Sequence, residues 1–135
     1  MSTRGVLGYR KDGIDFLHYN SHDSYPAGLG RRVLEMVQNE EINPITPSIE
    51  DDATEFIGDS VMCQYAYVIN LDDQTMEYYV GVNADKNAPG RYVSRGSWTD
   101  PIENREYFGV KLVKIIPFDT IRSTPEADRL QLFNE

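Results

Sequence analysis

Residues 65 to 80 constrain the fold of this chain more than any other stretch. Tyr65, Tyr67, Ile69 and Leu71 alternate along one face of a strand, Asp72-Asp73-Gln74 turns the chain, and Met76, Tyr78 and Val80 alternate back. A period of two on both sides of a short polar turn specifies a β-hairpin. Ala66 and Val68 make the opposite face apolar as well. The hairpin therefore reads as central in its sheet, buried on both sides.

The rest of the chain supplies layers for such a sheet. Thr3 to Arg10 reads as a strand, Lys11-Asp12-Gly13 as its turn, and Ile14 to Asn20 as the return strand; an Asp-Gly turn between apolar runs is a strong hairpin signal. From Leu29 the period changes: Leu29, Val33, Met36 and Val37 lie on one face of a helix running to about Glu40. Ser48 and Asp51 resemble a capping box before a short helix with Ile49, Ala53, Phe56 and Ile57 on one face and Gly58 as its stop. Asn83 to Glu106 is rich in Gly, Pro and Asn and reads as a long loop. Phe108 to Ile116 is a late strand ended by Pro117, and Thr124-Pro125-Glu126 opens a short helix anchored by Leu130 and Phe133. The expected fold is α+β: a single two-layer domain over residues 1–135, with an antiparallel sheet of about five strands and helices on one face. Tyr67 and Ile69 share a face and are expected to pack on the helix that begins at Leu29.

Composition narrows the function classes. A chain of 135 residues is one domain by length, and 40% hydrophobic with 26% charged residues is ordinary for a soluble protein. The single cysteine, Cys63, excludes an internal disulfide and suits a reducing compartment. The first residues carry no apolar signal core and no run reaches the length of a membrane span, so the expected location is cytoplasmic. The net charge is −9, and twelve Asp and Glu fall between Arg32 and Lys86, an interval with no Lys or Arg. Such a surface repels phosphate backbones, which disfavours direct nucleic-acid binding and leaves either a solvated face or a dock for a basic partner.

The candidate site lies between His18 and Arg32, where a strand ends and a helix begins. Both histidines, His18 and His22, sit there with Asn20, Asp23, Tyr25, Gly28, Gly30, Arg31 and Arg32. Gly28 and Gly30 at a helix start would let an anion approach free backbone N–H groups, or would serve only close packing at a sharp corner. Arg4 at the start of the first strand should come beside Asn20 at the end of the second, where Asp23 would orient its guanidinium toward a phosphate or carboxylate. Asp23-Ser24 equally reads as a helix cap. Two histidines with Asp23 fall short of a persuasive metal set, so no metal or cofactor is expected. A second constellation, Arg91, Tyr92, Arg95 and Trp98, alternates bases with aromatics and could clamp a nucleotide by stacking.

Thr3-Arg4-Gly5 followed by a hairpin and then Tyr19-Asn20-x-x-Asp23-Ser24-Tyr25-Pro26-x-Gly28-x-Gly30 resembles a family of small uncharacterised proteins of phages and prophages, with related forms in bacteria and fungi. Tyr67-Val68-Ile69-Asn70-Leu71-Asp72 extends the likeness over roughly residues 3 to 81. It implies a viral or mobile-element accessory context and no mechanism. Separately, Met1-Ser2-Thr3-Arg4 before a strand is similar to the start of N-terminal-nucleophile hydrolases. That likeness implies Ser2 as nucleophile, its α-amino group as base, and Arg4 and Asn20 as substrate or oxyanion partners.

Three functions follow. The favoured one is a phage-type accessory protein, with a counter-defence role in view, that captures a small anionic ligand such as a nucleotide signal through Arg4, Arg31, the glycines and the Arg91–Trp98 segment. The second is an acidic inhibitor or nucleic-acid mimic that docks on a basic partner. The third is a Ser2 amidohydrolase. The pattern favours binding over catalysis and leaves self-association open.

Overall fold

The computed structural model describes residues 3–39 and 56–134. Two hairpins form where alternation and turn residues specify them: β1 (Gly5–Lys11) with β2 (Ile14–Asn20), and β3 (Tyr65–Asn70) with β4 (Thr75–Val80). Asp12 and Gln74, one in each turn, take positive φ, at 55° and 57°. The Asp72 carboxylate accepts the Asp12 and Gly13 N–H groups at 2.8 and 2.9 Å, so the tip of the second hairpin closes the tip of the first. Those bonds, from Gly13 first and then Asp12, hold the Asp72 carboxyl below its ordinary range.

The fold is α+β with a five-stranded sheet in the order β2-β1-β3-β4-β7, where β7 is Lys111–Pro117. The sheet is mixed, which corrects the expectation of an antiparallel one. β1 and β3 run parallel, with Gly5 beside Tyr65 and Arg10 beside Asn70, while the other three pairs are antiparallel. The reason is the connection. After β2 returns to the starting end, α1 (Arg31–Asn39) and a short turn at Phe56–Gly58 intervene, and β3 re-enters from the end where β1 began.

Other boundaries differ locally. The expected strand Phe108–Ile116 is broken at Gly109 and Val110, and its first residue, Phe108, belongs to a separate ribbon of β5 (Ser97–Thr99) and β6 (Glu106–Phe108). Gly109 lies so close to Tyr92 that a Cβ there would sit 1.8 Å from the Tyr92 carbonyl oxygen. Pro117 ends β7 and caps a helix the sequence reading lacked, α2 (Phe118–Ser123). Residues 126–133 form a 3-10 helix. Of the expected Ser48–Gly58 helix, only its end falls within the described residues, as a single 3-10 turn.

The helices lie on one face, as expected. Val33, Leu34 and Val37 of α1 join Phe118, Ile121 and Phe133 over Leu7, Tyr67, Ile69, Met76, Tyr78 and Ile116. The other face carries Val6, Leu17, Ala66, Val68 and Tyr79. Irregular chain covers it, through Ile57, Cys63, Tyr92 and Val110.

That second face also buries an ionic cluster. Arg10 is only 6% exposed; its Nε donates to Asp15 at 2.7 Å, and its two terminal nitrogens donate to Glu77 at 2.8 and 2.9 Å. Tyr92 accepts from Arg10 at 3.2 Å and donates to Asp15 at 2.6 Å, while Tyr79 and Asn70 donate to Glu77. Burial by itself would raise the Glu77 pKa, but the Arg10 guanidinium and the Tyr79 and Asn70 bonds outweigh it and hold the carboxylate below its usual range. A carboxylate stabilised in this way supports the fold above its unfolded pKa near 4.5 and loses that support as pH falls through the folded value. Glu77→Gln should therefore destabilise the neutral-pH protein by on the order of 3 kcal/mol, because Arg10 loses a buried partner. Denaturant unfolding between pH 7 and pH 3 should show a shallower acid decline in the variant than in the parent; parallel curves would contradict the assignment.

Candidate functional site

The strand–helix corner is built from backbone outward. Ser24 N–H bonds the Thr3 carbonyl at 3.1 Å, and Tyr67 O–H donates to the Ser24 carbonyl at 2.8 Å. Ser24 is fully buried, and the Asn20 side-chain amide donates to its hydroxyl at 2.8 Å and to the His22 carbonyl. Asp23 takes φ of +55°, a conformation that Asp tolerates better than most residues. Pro26 then starts a single wide turn, Pro26–Gly30, which feeds directly into α1.

The two glycines serve this corner. A Cβ on Gly28 would lie 2.3 Å from the Asp23 carbonyl oxygen, and one on Gly30 would lie 3.0–3.1 Å from ring atoms of Phe133 and Tyr67. The expected cradle of free N–H groups is not present at these residues. Gly28 and Gly30 both donate to the Tyr25 carbonyl, at 2.9 and 3.4 Å, and Leu29 donates to that of Asp23 at 2.9 Å. The turn consumes the donors that an anion would need.

The side chains left over define a concavity of about 170 Å³ lined by Asn20, His22, Asp23, Gly28, Leu29 and Arg32. Five of these belong to the candidate stretch named from the sequence, Asn20, His22, Asp23, Gly28 and Arg32, although the anion reading rested there on Arg31. The exposed His22 ring contacts the Ser21 hydroxyl through Nδ1 at 2.9 Å, and exposed Tyr25 reaches Asp23 at 3.4 Å. Arg31 faces a separate groove of about 240 Å³, between α1 and the C-terminal 3-10 helix, with Glu35, Glu126 and Arg129.

Arg4 does not join the corner. Its guanidinium approaches the Met62 sulfur at 3.2 Å. Strand parity explains this: Gly5 faces Ser24, so the side chain of Arg4 leaves by the opposite face. No ion pair of Arg4 with Asp23 occurs among the described residues. Ser2, the nucleophile of the hydrolase reading, lies outside the described residues.

The second constellation holds together only at Arg91 and Tyr92, where the guanidinium lies 5.9 Å from the ring centroid. Tyr92 is fully buried, Arg91 turns to Asp15 at 3.3 Å and to the Gly13 carbonyl at 3.4 Å, and Trp98 stacks on Tyr107 across the β5–β6 ribbon. Arg95 closes the short turn Val93–Arg95. The sequence reading missed the Arg10–Asp15–Glu77 cluster, although a charge amid apolar residues in each of β1 and β4 was its signal. Cys63 is buried, and burial, followed by the charge of Asp59, pushes its thiol pKa up, which keeps the sulfur protonated and unreactive. Among the described residues no three His, Cys, Asp or Glu side chains gather as a metal would need, and no helix is long and apolar enough to cross a membrane.

Comparison with family models, with curated proteins and with solved structures gives no match to this chain. The site is therefore read from its own residues. Gly28→Ala should cost about 1–3 kcal/mol, since a backbone carbonyl has to move. Gly30→Ala should cost less, because the contacting atoms belong to aromatic side chains. Thermal unfolding of both variants checks the order.

Proposed function

We propose that this protein binds a small anionic ligand at the strand–helix corner. The observation that carries the reading is the concavity itself: a floor fixed by backbone and Asn20–Ser24 hydrogen bonds, with Arg32 and His22 on its wall. Arg32 offers a fixed positive charge with a forked donor set that matches phosphate or carboxylate. Asp23 offers an acceptor to a neighbouring hydroxyl. The pairing suits a phosphate attached to a polyol, as at the ribose-phosphate end of a nucleotide.

Size refines the ligand. A volume of about 170 Å³ lies below the roughly 300–1,000 Å³ of sites that enclose drug-sized molecules. The corner takes one phosphate and a few attached atoms and leaves a base outside. The anionic group is held by side chains, because the helix-start N–H groups are already bonded.

With the resemblance of the Tyr19 to Gly30 motif to phage and prophage proteins, we read this binding as that of a mobile-element accessory protein that works in the host cytoplasm and sequesters a nucleotide signal as counter-defence. The alternative of an acidic dock for a basic partner draws less support. Among the acids described between Glu35 and Asp85, Glu77 is committed to the buried cluster and is withdrawn from such a surface.

Calorimetric titration with ribose 5-phosphate, a nucleoside monophosphate and ribose tests the proposal. The two phosphates should bind and ribose should not. Arg32→Ala should weaken phosphate binding by about ten- to a hundredfold, the worth of one charge-assisted contact, with the melting temperature unchanged. Equal affinity in Arg32→Ala and the parent would remove the corner as the site.

A further inference from the structure

The groove between α1 and the C-terminal 3-10 helix holds four charges that the fold does not use. Its volume is about 240 Å³. Arg31, Leu34 and Glu35 stand at i, i+3 and i+4 on α1, so they share one stripe of that helix and line the groove together. Leu34 is fully buried in the cluster that contains Phe133, which turns the stripe toward the C-terminal helix. On a 3-10 helix, residues three apart lie one above the other. Ala127 and Leu130 make one such row and Glu126 and Arg129 the next, and all four line the same groove. The groove thus has an apolar part, Leu34, Ala127 and Leu130, and two charged rows, each with one cation and one anion a turn apart.

The spacing would let each row neutralise itself, and neither does. Among the described residues, neither Arg31 nor Arg129 comes within ion-pair distance of Glu35 or Glu126. On α1 the base precedes the acid, which is the weaker order for an i, i+4 pair because each charge then opposes the helix dipole. On the facing row, Arg129 turns its Nε to the Thr124 carbonyl at 3.3 Å instead of to Glu126. Arg31, Glu126 and Arg129 are exposed and Glu35 is half-buried, so a ligand from solvent can reach all four. Their charges sum to zero. A simple anion would gain the two bases and meet the two acids, and a simple cation the reverse.

We propose that this groove binds a free α-amino acid with an aliphatic side chain. The ligand carboxylate takes Arg31 and Arg129, its ammonium takes Glu35 and Glu126, and its side chain lies on Leu34, Ala127 and Leu130. The guanidinium fork matches a carboxylate, and an ammonium carries three donors for the two acids. The groove shares no lining residue with the corner, which Arg32 faces, so the assignment does not rest on the phosphate reading.

Calorimetric titration of the whole chain at pH 7 with L-leucine, 4-methylpentanoate and 3-methylbutylamine tests the proposal. The three share an isobutyl group; the second lacks the ammonium and the third lacks the carboxylate. L-Leucine should bind saturably, and each analogue at least about tenfold more weakly. Glu35→Gln keeps the size of the side chain and removes one anion. It should weaken leucine binding about tenfold, leave 4-methylpentanoate no weaker than before, and leave ribose 5-phosphate at the corner unchanged. No binding of leucine, equal affinity for the three compounds, or undiminished leucine affinity in folded Glu35→Gln overturns the proposal. Should Glu35→Gln fail to fold, the comparison of the three compounds on the parent chain decides by itself. Leucine binding without ribose 5-phosphate binding would remove the corner reading and leave this one standing.

Discussion

The buried guanidinium of Arg10 is the tie on which the rest of the architecture depends. It stands on β1 and reaches Asp15 on β2 and Glu77 on β4, so one side chain spans four adjacent strands. Tyr92 brings the irregular 83–110 segment into the same cluster. A purely apolar second face would have left that segment little to recognise. With Arg10 in place, any packing that separates Glu77 from it strands a charge in a dry interior, at a cost far above the small energy differences between alternative loop arrangements. The cluster thus selects one conformation for a segment that has little regular structure of its own.

The opposite face works by shape. Phe133 sits edge-on to Tyr67 and Tyr78 at 5.6 and 4.9 Å between centroids, and Gly30 leaves room for it. The same glycine that sharpens the strand–helix corner therefore admits the last aromatic residue of the chain to the core. Corner and C-terminus are coupled through a contact between residues more than a hundred positions apart.

This explains what the sequence disclosed. Both hairpins were legible, because alternation and turn chemistry are local; the bonds from Asp12 and Gly13 to the Asp72 carboxylate join two turns that their own residues already specify. The α+β class and the helical face followed from the change of period at Leu29. The parallel seam was not legible, since its direction is set by a connection and not by the residues of β1 or β3. Gly28 and Gly30 invited an anion at the helix start, yet their neighbours are the Asp23 carbonyl and the rings of Tyr67 and Phe133. Arg91-Tyr92 resembled half of a stacking clamp until Asp15, 77 positions away from Tyr92, claimed both residues. The polar stretch from Asn20 to Arg32 did mark a concavity, but which of its side chains face it depended on strand parity at Gly5 and on the turn at Asp23.

The parallel pairing of β1 with β3 has a consequence for synthesis. β1 is an interior strand of the finished sheet and leaves the ribosome before its inner neighbour, which begins sixty residues later, at Tyr65. A two-stranded hairpin is at best marginal in water, so the β1–β2 ribbon has to wait with Val6 and Leu7 uncovered until β3 emerges. At ordinary elongation rates that interval lasts on the order of several seconds. During it, the nascent chain offers an apolar strand edge to whatever is near, and a second nascent copy competes with β3 for the same row of backbone groups.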